Sequence, residues 1–270
     1  MKINLVSAQN CTAANPPREP CIIVGHSPDE LRFWKEKGFC VLAELDELQS
    51  FVGTEREMAE RITALTDRGF EGLDNVCIHA GLLTEREKLL MWQHHRGEPG
   101  TIGESGRILV RESTADDAAA IREIYQDAES GRFLEPLLPE SVLKDAAEAD
   151  EEAYAEYLKM YRKYQYPFYG YGIWSVVEKE DGRTVGWAGL TWESHDGCEG
   201  LYLGYALLSG YWGRGLTREA CLLILEFVRE QGLADRVYVR VQRENLRSVR
   251  LAEALRNQSP VELKIQICAS

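Results

Sequence analysis

The most informative segment of the sequence is LLSGYWGRGLTREA, from Leu207 to Ala220. It predicts the end of a strand, a glycine-rich turn and the start of a helix. Backbone N–H groups and the helix dipole make such a junction an anion site suited to a pyrophosphate. Gly213 and Gly215 would let the backbone approach the phosphates closely. The spacing matches neither the P-loop nor G-x-G-x-x-G, and an ordinary glycine-rich turn is the alternative interpretation.

The sequence around this stretch predicts a mixed α/β domain. Hydrophobic periodicity and turn residues predict the order β-α-α-β-β-β-α-β-α-β. The predicted strands cover 107–112, 173–179, 184–193, 201–208, 236–241 and 261–267. The predicted helices cover 114–126, 140–163, 214–230 and 245–256. Tyrosines at steps of three and four, from Tyr154 to Tyr164, lie on one face of the second helix. We expect this face to serve packing rather than acceptor binding.

A boundary is predicted where glycine and proline are dense, at 97–106, dividing the chain into domains 1–104 and 105–270. The first domain alternates strands and helices, which implies a small α/β domain with a parallel sheet. Its predicted strands are 21–25, 39–43 and 74–79, and its predicted helices are 28–38, 54–67 and 84–95. The segment 22–30 resembles a strand–turn–helix of HAD-like hydrolases, but the D-x-D motif is absent. His26 follows a predicted strand and is either a ligand-binding or a structural residue.

Composition excludes several classes of protein. The net charge of −13 argues against a nucleic-acid partner, and it suits a cationic amine acceptor or simply solubility. Seven cysteines without C-x-x-C spacing argue against a disulfide framework and a zinc site, so no metal is expected. The chain shows no signal-peptide pattern and no apolar run long enough for a membrane span. We therefore expect a cytoplasmic protein.

The quoted stretch resembles the pyrophosphate loop of the GNAT superfamily of N-acetyltransferases, in the branch that contains the ribosomal-protein N-terminal acetyltransferases. Other segments resemble further motifs of that branch, in the right order and within residues 107–255. These are Arg107–Glu112, Tyr171–Trp174, Val185–Leu190, Leu203–Tyr205 and Glu244–Glu253. The resemblance implies a GNAT-type mixed sheet flanked by helices, acetyl-CoA as cofactor, and transfer of acetyl to a primary amine. The acceptor would be a small molecule or a protein N-terminus.

The same resemblance implies a set of cofactor-binding residues. The backbone of Ala206 and Leu207 would pair with the pantetheine arm. Trp212 takes a position where the family has Gln or Arg. The loop amides that would cradle the pyrophosphate belong to Gly213, Arg214, Gly215, Leu216 and Thr217. Asn245 would hold the cofactor, with Ser248 as its neighbour, although Asn245 could instead cap its helix.

The catalytic candidates follow from the proton transfers that the implied reaction requires. The amine must lose a proton, and the thiolate leaving group can take one. Tyr202 stands where the branch often has a glutamate, so Glu193, His195 or Glu199 could substitute. Ala252 stands where many members have a tyrosine acid, which leaves Tyr205 as an alternative. Our catalytic candidates are Tyr202, Glu193 and Tyr205.

The C-terminal segment departs from the family. After Leu255-Arg256-Asn257 only one strand is predicted, so the usual final hairpin that walls the acceptor pocket is expected to be shortened. A strand from a partner chain could complete the sheet, which allows a homodimer. A non-catalytic acyl-CoA-binding or sensor protein is the alternative function. A third hypothesis makes the first domain the functional module.

Overall fold

The structure is a computed structural model that describes residues 2–44, 75–77, 83–138 and 150–268. Contacts divide the chain into two compact units, Met1–Gly100 and Thr101–Ser270. The predicted helix 54–67 lies outside the described residues. None of the helices in the described ranges is long and apolar enough to cross a membrane.

The first unit is built on a four-stranded parallel sheet. Its strands, in sheet order, are β1 Asn4–Ser7, β2 Cys21–Gly25, β3 Cys40–Glu44 and β4 Asn75–Cys77. Its helices are α1 Pro28–Glu36 and α2 Glu85–His95. Trp34 of α1 packs with Ile23 on one face of the sheet, and Trp92 of α2 packs with Ile22 on the other. Because both faces are covered, the central strands read as continuous apolar runs.

Strand β1 was not predicted from the sequence. It has only four residues, and its ends, Asn4 and Ser7, are exposed. An edge strand this short carries too few buried side chains to give a period-two pattern. Its parallel pairing with β2 is what reveals it.

The second unit contains a seven-stranded mixed sheet in the order β11-β10-β9-β8-β7-β6-β5. The strands are β5 Thr101–Glu104, β6 Ile108–Glu112, β7 Ile173–Glu178, β8 Thr184–His195, β9 Cys198–Leu207, β10 Arg236–Gln242 and β11 Glu262–Cys268. Neighbours from β5 to β9 are antiparallel, whereas β10 runs parallel to both β9 and β11. The predicted mixed sheet is confirmed.

Residues 101–104 differ from the prediction. We assigned them to a boundary segment at the end of the first domain, but they form β5 and pair antiparallel with β6. Two of the glycines that suggested a linker, Gly103 and Gly106, belong to this edge strand and to its hairpin. Gly103 packs against Leu223, and a Cβ on Gly103 would lie only 2.9 Å from the Leu223 Cβ. Here glycine marks a close approach rather than a linker.

Helices cover the sheet of the second unit. They are α3 Ala118–Gln126, α4 Glu151–Met160, α5 Tyr166–Tyr169, α6 Leu216–Gln231 and α7 Leu246–Arg256. Only part of the predicted helix 140–163 is described, and a π-helical turn at Tyr161–Gln165 joins α4 to α5. Tyr154 is buried, whereas Tyr164 is 53% exposed. The wider π turn changes the angle between successive residues, so the tyrosine face does not continue to Tyr164.

A buried ion pair fixes the junction between β6 and α3. Asp117 is 2% exposed and accepts two hydrogen bonds from the Arg111 guanidinium, at 2.8 and 2.9 Å. It also accepts the Thr114 N–H, which forms a capping box. Burial by itself raises the pKa of Asp117, but the hydrogen bonds and charge of Arg111, with Thr184 and Thr114, lower it overall.

We predict that Asp117→Asn lowers the free energy of unfolding by about 3–5 kcal/mol at pH 7, because it leaves Arg111 without its buried partner. The pKa of Asp117 in the folded state lies below its unfolded value of about 3.9. The stabilisation is therefore complete above that value and disappears as the pH falls through the folded pKa. Urea unfolding at several pH values measures the difference between the two proteins.

The neighbouring exposed Asp116 provides the control. Asp116→Asn should change the free energy of unfolding by no more than about 0.5 kcal/mol. Equal effects of the two substitutions, or an effect of Asp117→Asn that is independent of pH, would contradict the role assigned to the buried pair.

Candidate active site

The sheet opens between β9 and β10. These strands pair only at Leu201–Val237 and Tyr202–Tyr238, whereas β10 and β11 pair along their whole length. Past Tyr202 the two strands separate, and the opening leads into a cavity of about 1000 Å³. Backbone groups that face such an opening have lost their strand partner and must bond to water or a ligand.

The backbone that faces the opening belongs to Tyr205 and Leu207. The Leu208 N–H donates to the Val185 carbonyl of β8 at 3.0 Å. Antiparallel pairing alternates, so Ala206 also directs its backbone to β8, and its neighbours direct theirs towards the opening. Ala206 lines the cavity. Contrary to our prediction, the backbone of Ala206 does not face the opening, whereas that of Tyr205 does.

The carbonyl of Leu207 is already satisfied. It accepts hydrogen bonds from the Ser130 hydroxyl and the Trp212 indole N–H, both at 2.9 Å. These bonds occupy both lone pairs of the oxygen. The Leu207 N–H and the N–H and carbonyl of Tyr205 can pair with a ligand in the opening. Trp212 thus fixes the end of β9 with its side chain.

The loop after β9 has the backbone conformation that its glycines predict. Gly213 and Gly215 have φ angles of +75° and +80°, in the left-handed region. Gly215 is the N-cap residue of α6, so the first N–H groups of that helix have no intrahelical acceptor. A Cβ on Gly213 would meet no atom within 4 Å, so the loop has open space beside it. This arrangement suits an anion and leaves room for a phosphate.

Arg107 anchors this loop through hydrogen bonds to its backbone and to α6. Its Nη1 donates to the Arg214 carbonyl at 2.9 Å, and its Nε donates to Glu219 of α6 at 3.0 Å. The Arg214 side chain is ion-paired with Glu178 of β7. Leu216 is 1% exposed. Of the predicted loop residues, Arg214 and Leu216 can therefore offer only their backbone to a ligand.

Two cations beside the loop were missed by sequence reasoning. Arg218, in the first turn of α6, and Arg247, in the first turn of α7, both line the cavity. The Arg247 guanidinium lies 4.4 Å from the centre of the Trp212 ring, a cation–π contact. Their positions next to the predicted loop and to Asn245 were the available signal.

Asn245 caps α7, the alternative that we had left open. Its Oδ1 accepts the Ser248 N–H at 3.1 Å, while the residue lines the cavity. The Ser248 hydroxyl lies 2.8 Å from the Tyr205 hydroxyl. Burial raises the pKa of Tyr205 above its usual value. Tyr205 therefore keeps its proton at neutral pH and can act as a donor.

Tyr202 lines the wall of the cavity, and its hydroxyl is already held by other groups. Its ring stacks on Tyr238 with centroids 5.1 Å apart, and its hydroxyl lies 3.1 Å from the Cys198 carbonyl and 3.0 Å from Gln266 Oε1. Burial raises the pKa of Tyr202. A buried, protonated phenol held in this way is poorly suited to act as a base.

Glu193 is the carboxylate that the structure brings to the cavity near Tyr202. Its Oε2 lies 2.6 Å from His195 Nε2, and its Oε1 accepts the Thr191 hydroxyl. Its side chain is 31% exposed. Glu199, the other acidic candidate, bonds to the exposed Trp192 at 3.2 Å and is not among the residues lining the cavity.

Comparison with known proteins adds to this geometry. The model of the GNAT acetyltransferase domain matches residues 107–257, more than half of the chain. The chain belongs to the GNAT acetyltransferase family. The match spans β6 to the end of α7 and includes the opening and the glycine loop.

Solved structures of this fold include several GNAT proteins. A putative GNAT-family acetyltransferase from Bordetella pertussis is 21% identical, over 57% of this chain and 86% of that one, with a TM-score of 0.44. The ribosomal-protein-S5-alanine acetyltransferase from Vibrio fischeri is 19% identical, over 57% and 80%, with a TM-score of 0.45. A putative acetyltransferase from Salmonella typhimurium, solved with its cofactor acetyl-CoA, is 22% identical, over 55% and 78%, with a TM-score of 0.37.

We predict that Gly215→Ala costs about 1 kcal/mol or more of unfolding free energy, because alanine is strained at a positive φ. Gly210 lies in the same loop, has no positive φ, and would leave its Cβ in open space. Gly210→Ala should therefore be neutral or slightly stabilising in the same urea titration. Equal costs at both positions would show that the Gly215 backbone is not constrained as described.

Proposed function

We propose that this GNAT domain transfers an acetyl group from acetyl-CoA to a primary amine, on a small molecule or a protein N-terminus. The observation that carries the proposal is the opening between β9 and β10, which leads directly to the glycine loop at the start of α6. An elongated ligand with a pyrophosphate in its middle and an amide-rich arm fits this combination.

The described residues fit acetyl-CoA in several ways. The amides from Gly213 to Thr217 would hold the pyrophosphate, because they combine open space with the positive end of α6. Arg218 and Arg247 add positive charge beside it. The Leu207 N–H and the Tyr205 carbonyl would pair with the amides of the pantetheine arm. Acetyl-CoA would supply an activated thioester, whose acetyl carbon is open to attack by an amine.

Glu193 and Tyr205 both line the cavity and would carry the two proton transfers. Glu193 would take a proton from the acceptor ammonium, since only the free amine is a nucleophile. Transfer would form the C–N bond and break the C–S bond, with the electron pair leaving on sulfur. Tyr205, kept protonated by burial, would give its proton to that thiolate, and the second proton lost by the amine nitrogen would restore the Tyr205 hydroxyl through solvent. Ser248, within 2.8 Å, orients the Tyr205 hydroxyl.

A second candidate function is acyl-CoA binding without turnover. It is favoured by Tyr202 and Ala252, which occupy the positions where the resemblance leads us to expect a glutamate base and a tyrosine acid. Tyr202 is held by Cys198 and Gln266, and Ala252 is fully buried. Acyl-CoA binding with no release of thiol in the presence of any amine would favour this function.

We predict that acetyl-CoA raises the melting temperature of the full chain, because a ligand that binds only the native state stabilises it by mass action. Gly215→Glu should abolish the shift, since it adds a negative charge to the loop that would repel the pyrophosphate. Differential scanning fluorimetry with and without acetyl-CoA measures both effects.

Gly215→Ala is the matched control for the strain at this position. It carries the same backbone strain without the charge, so most of the shift should remain. Loss of the shift in both variants would mean that loop conformation, rather than charge, accounts for the effect. A wild type that melts cooperatively without any shift would refute acetyl-CoA binding.

We predict that Glu193→Gln lowers kcat by about 10²-fold or more while the KM for acetyl-CoA is unchanged, because the glutamine cannot accept the amine proton. Thiol release from acetyl-CoA in the presence of an amine panel measures the rate. Glu199→Gln, on the same hairpin but bonded to Trp192, should keep nearly full activity. Equal losses in the two variants would remove Glu193 from the proposed mechanism.

A further inference from the structure

The cavity wall near Tyr202 carries a cation that the proposed acetyl transfer does not use. Arg240 lies two residues beyond Tyr238 on β10 and therefore on the same face of the sheet as Tyr238 and Tyr202. Gly204 is the next residue on that face of β9. Arg240 thus stands across the opening from a position without a side chain, and both residues line the cavity.

Arg240 is paired with a carboxylate that can be replaced at little cost. Its Nη2 lies 2.6 Å from Glu135 Oε1, and Glu135 comes from the connection between α3 and α4. The Arg240 side chain is 32% exposed, whereas that of Glu135 is 78% exposed. Ion pairs with a largely solvated partner contribute little to stability. A carboxylate that enters the cavity can therefore compete with Glu135 for the guanidinium.

Glu193 and Arg240 line the same cavity and interact electrostatically. Burial by itself lowers the pKa of Arg240, but Glu135 and, at longer range, Glu193 raise it overall. The acceptor end of the cavity thus presents a carboxylate and a guanidinium within electrostatic reach of each other. Such a pair is complementary to a ligand that carries both charges.

We propose that the acceptor is a zwitterionic amine of the α-amino acid class. Its ammonium group faces Glu193, and its carboxylate displaces Glu135 from Arg240. This inference rests on the proposed acetyl transfer and narrows its acceptor. It also assigns Arg240 as the residue that selects for the carboxylate.

The test compares free amino acids with their amino acid amides, which keep the amine and the side chain but lack the carboxylate. Thiol release from acetyl-CoA is measured for the full chain with a panel of such pairs. We expect kcat/KM to be about 10- to 100-fold higher for the acid of each accepted pair. The α-amine of an amino acid amide loses its proton more readily than the α-amine of the free amino acid. A preference for the free acid therefore cannot arise from amine basicity.

Substitutions assign the preference to its residue. Arg240→Gln should remove most of the preference by raising the KM for the acid, without changing the KM for acetyl-CoA. Arg236→Gln is the matched control, because Arg236 lies on the same strand and face but pairs with Glu262. It should keep the preference. Glu135→Gln should lower the KM for the acid several-fold, because a neutral amide no longer competes.

Each other outcome has a definite meaning. If amides and other carboxylate-free amines were acetylated as efficiently as the acids, the inference would be overturned and the acetyl transfer would stand. An unchanged preference in Arg240→Gln would have the same meaning. Thiol release with none of the amines or amino acids, in a protein whose melting temperature acetyl-CoA still raises, would refute the transfer and this inference together.

Discussion

The separation of β9 from β10 after Tyr202 is the constraint on which the site depends. Two parallel pairs hold the strands together at Leu201 and Tyr202, and from there each strand keeps only its outer neighbour. The opening exposes the backbone of Tyr205 and Leu207 without breaking the sheet, because β8 and β11 continue to support the two strands. The cavity, the wall around Tyr202 and the cation at Arg240 all surround this opening.

The glycine loop is held in place by Arg107, which contacts it on the side away from the opening. Arg107, just before β6, bonds to the Arg214 carbonyl and to Glu219, so contacts distant in sequence support the loop in which Gly213 and Gly215 have positive φ angles. The open side of the loop is left to solvent or ligand. A rigid donor array of this kind binds an anion without having to reorganise.

The sequence predicted the loop, the order of the elements around it and the strand β11, because these depend on local signals: glycine spacing and hydrophobic period. It did not predict β1 or β5, which are short edge strands, nor that the Ala206 backbone faces β8. Pairing partners decide those features. Arg240 and Glu135 lie 105 residues apart and meet across the cavity. No local pattern marks such a pair, and the acceptor end of the site could therefore not be predicted.

A crystal structure of the full chain with acetyl-CoA would show where the cofactor binds. We expect the pyrophosphate within hydrogen-bond distance of the amides from Gly213 to Thr217, the pantetheine arm between β9 and β10, and its amides bonded to Leu207 and Tyr205. A cofactor bound elsewhere, or β9 and β10 joined by further pairs past Tyr202, would contradict this expectation.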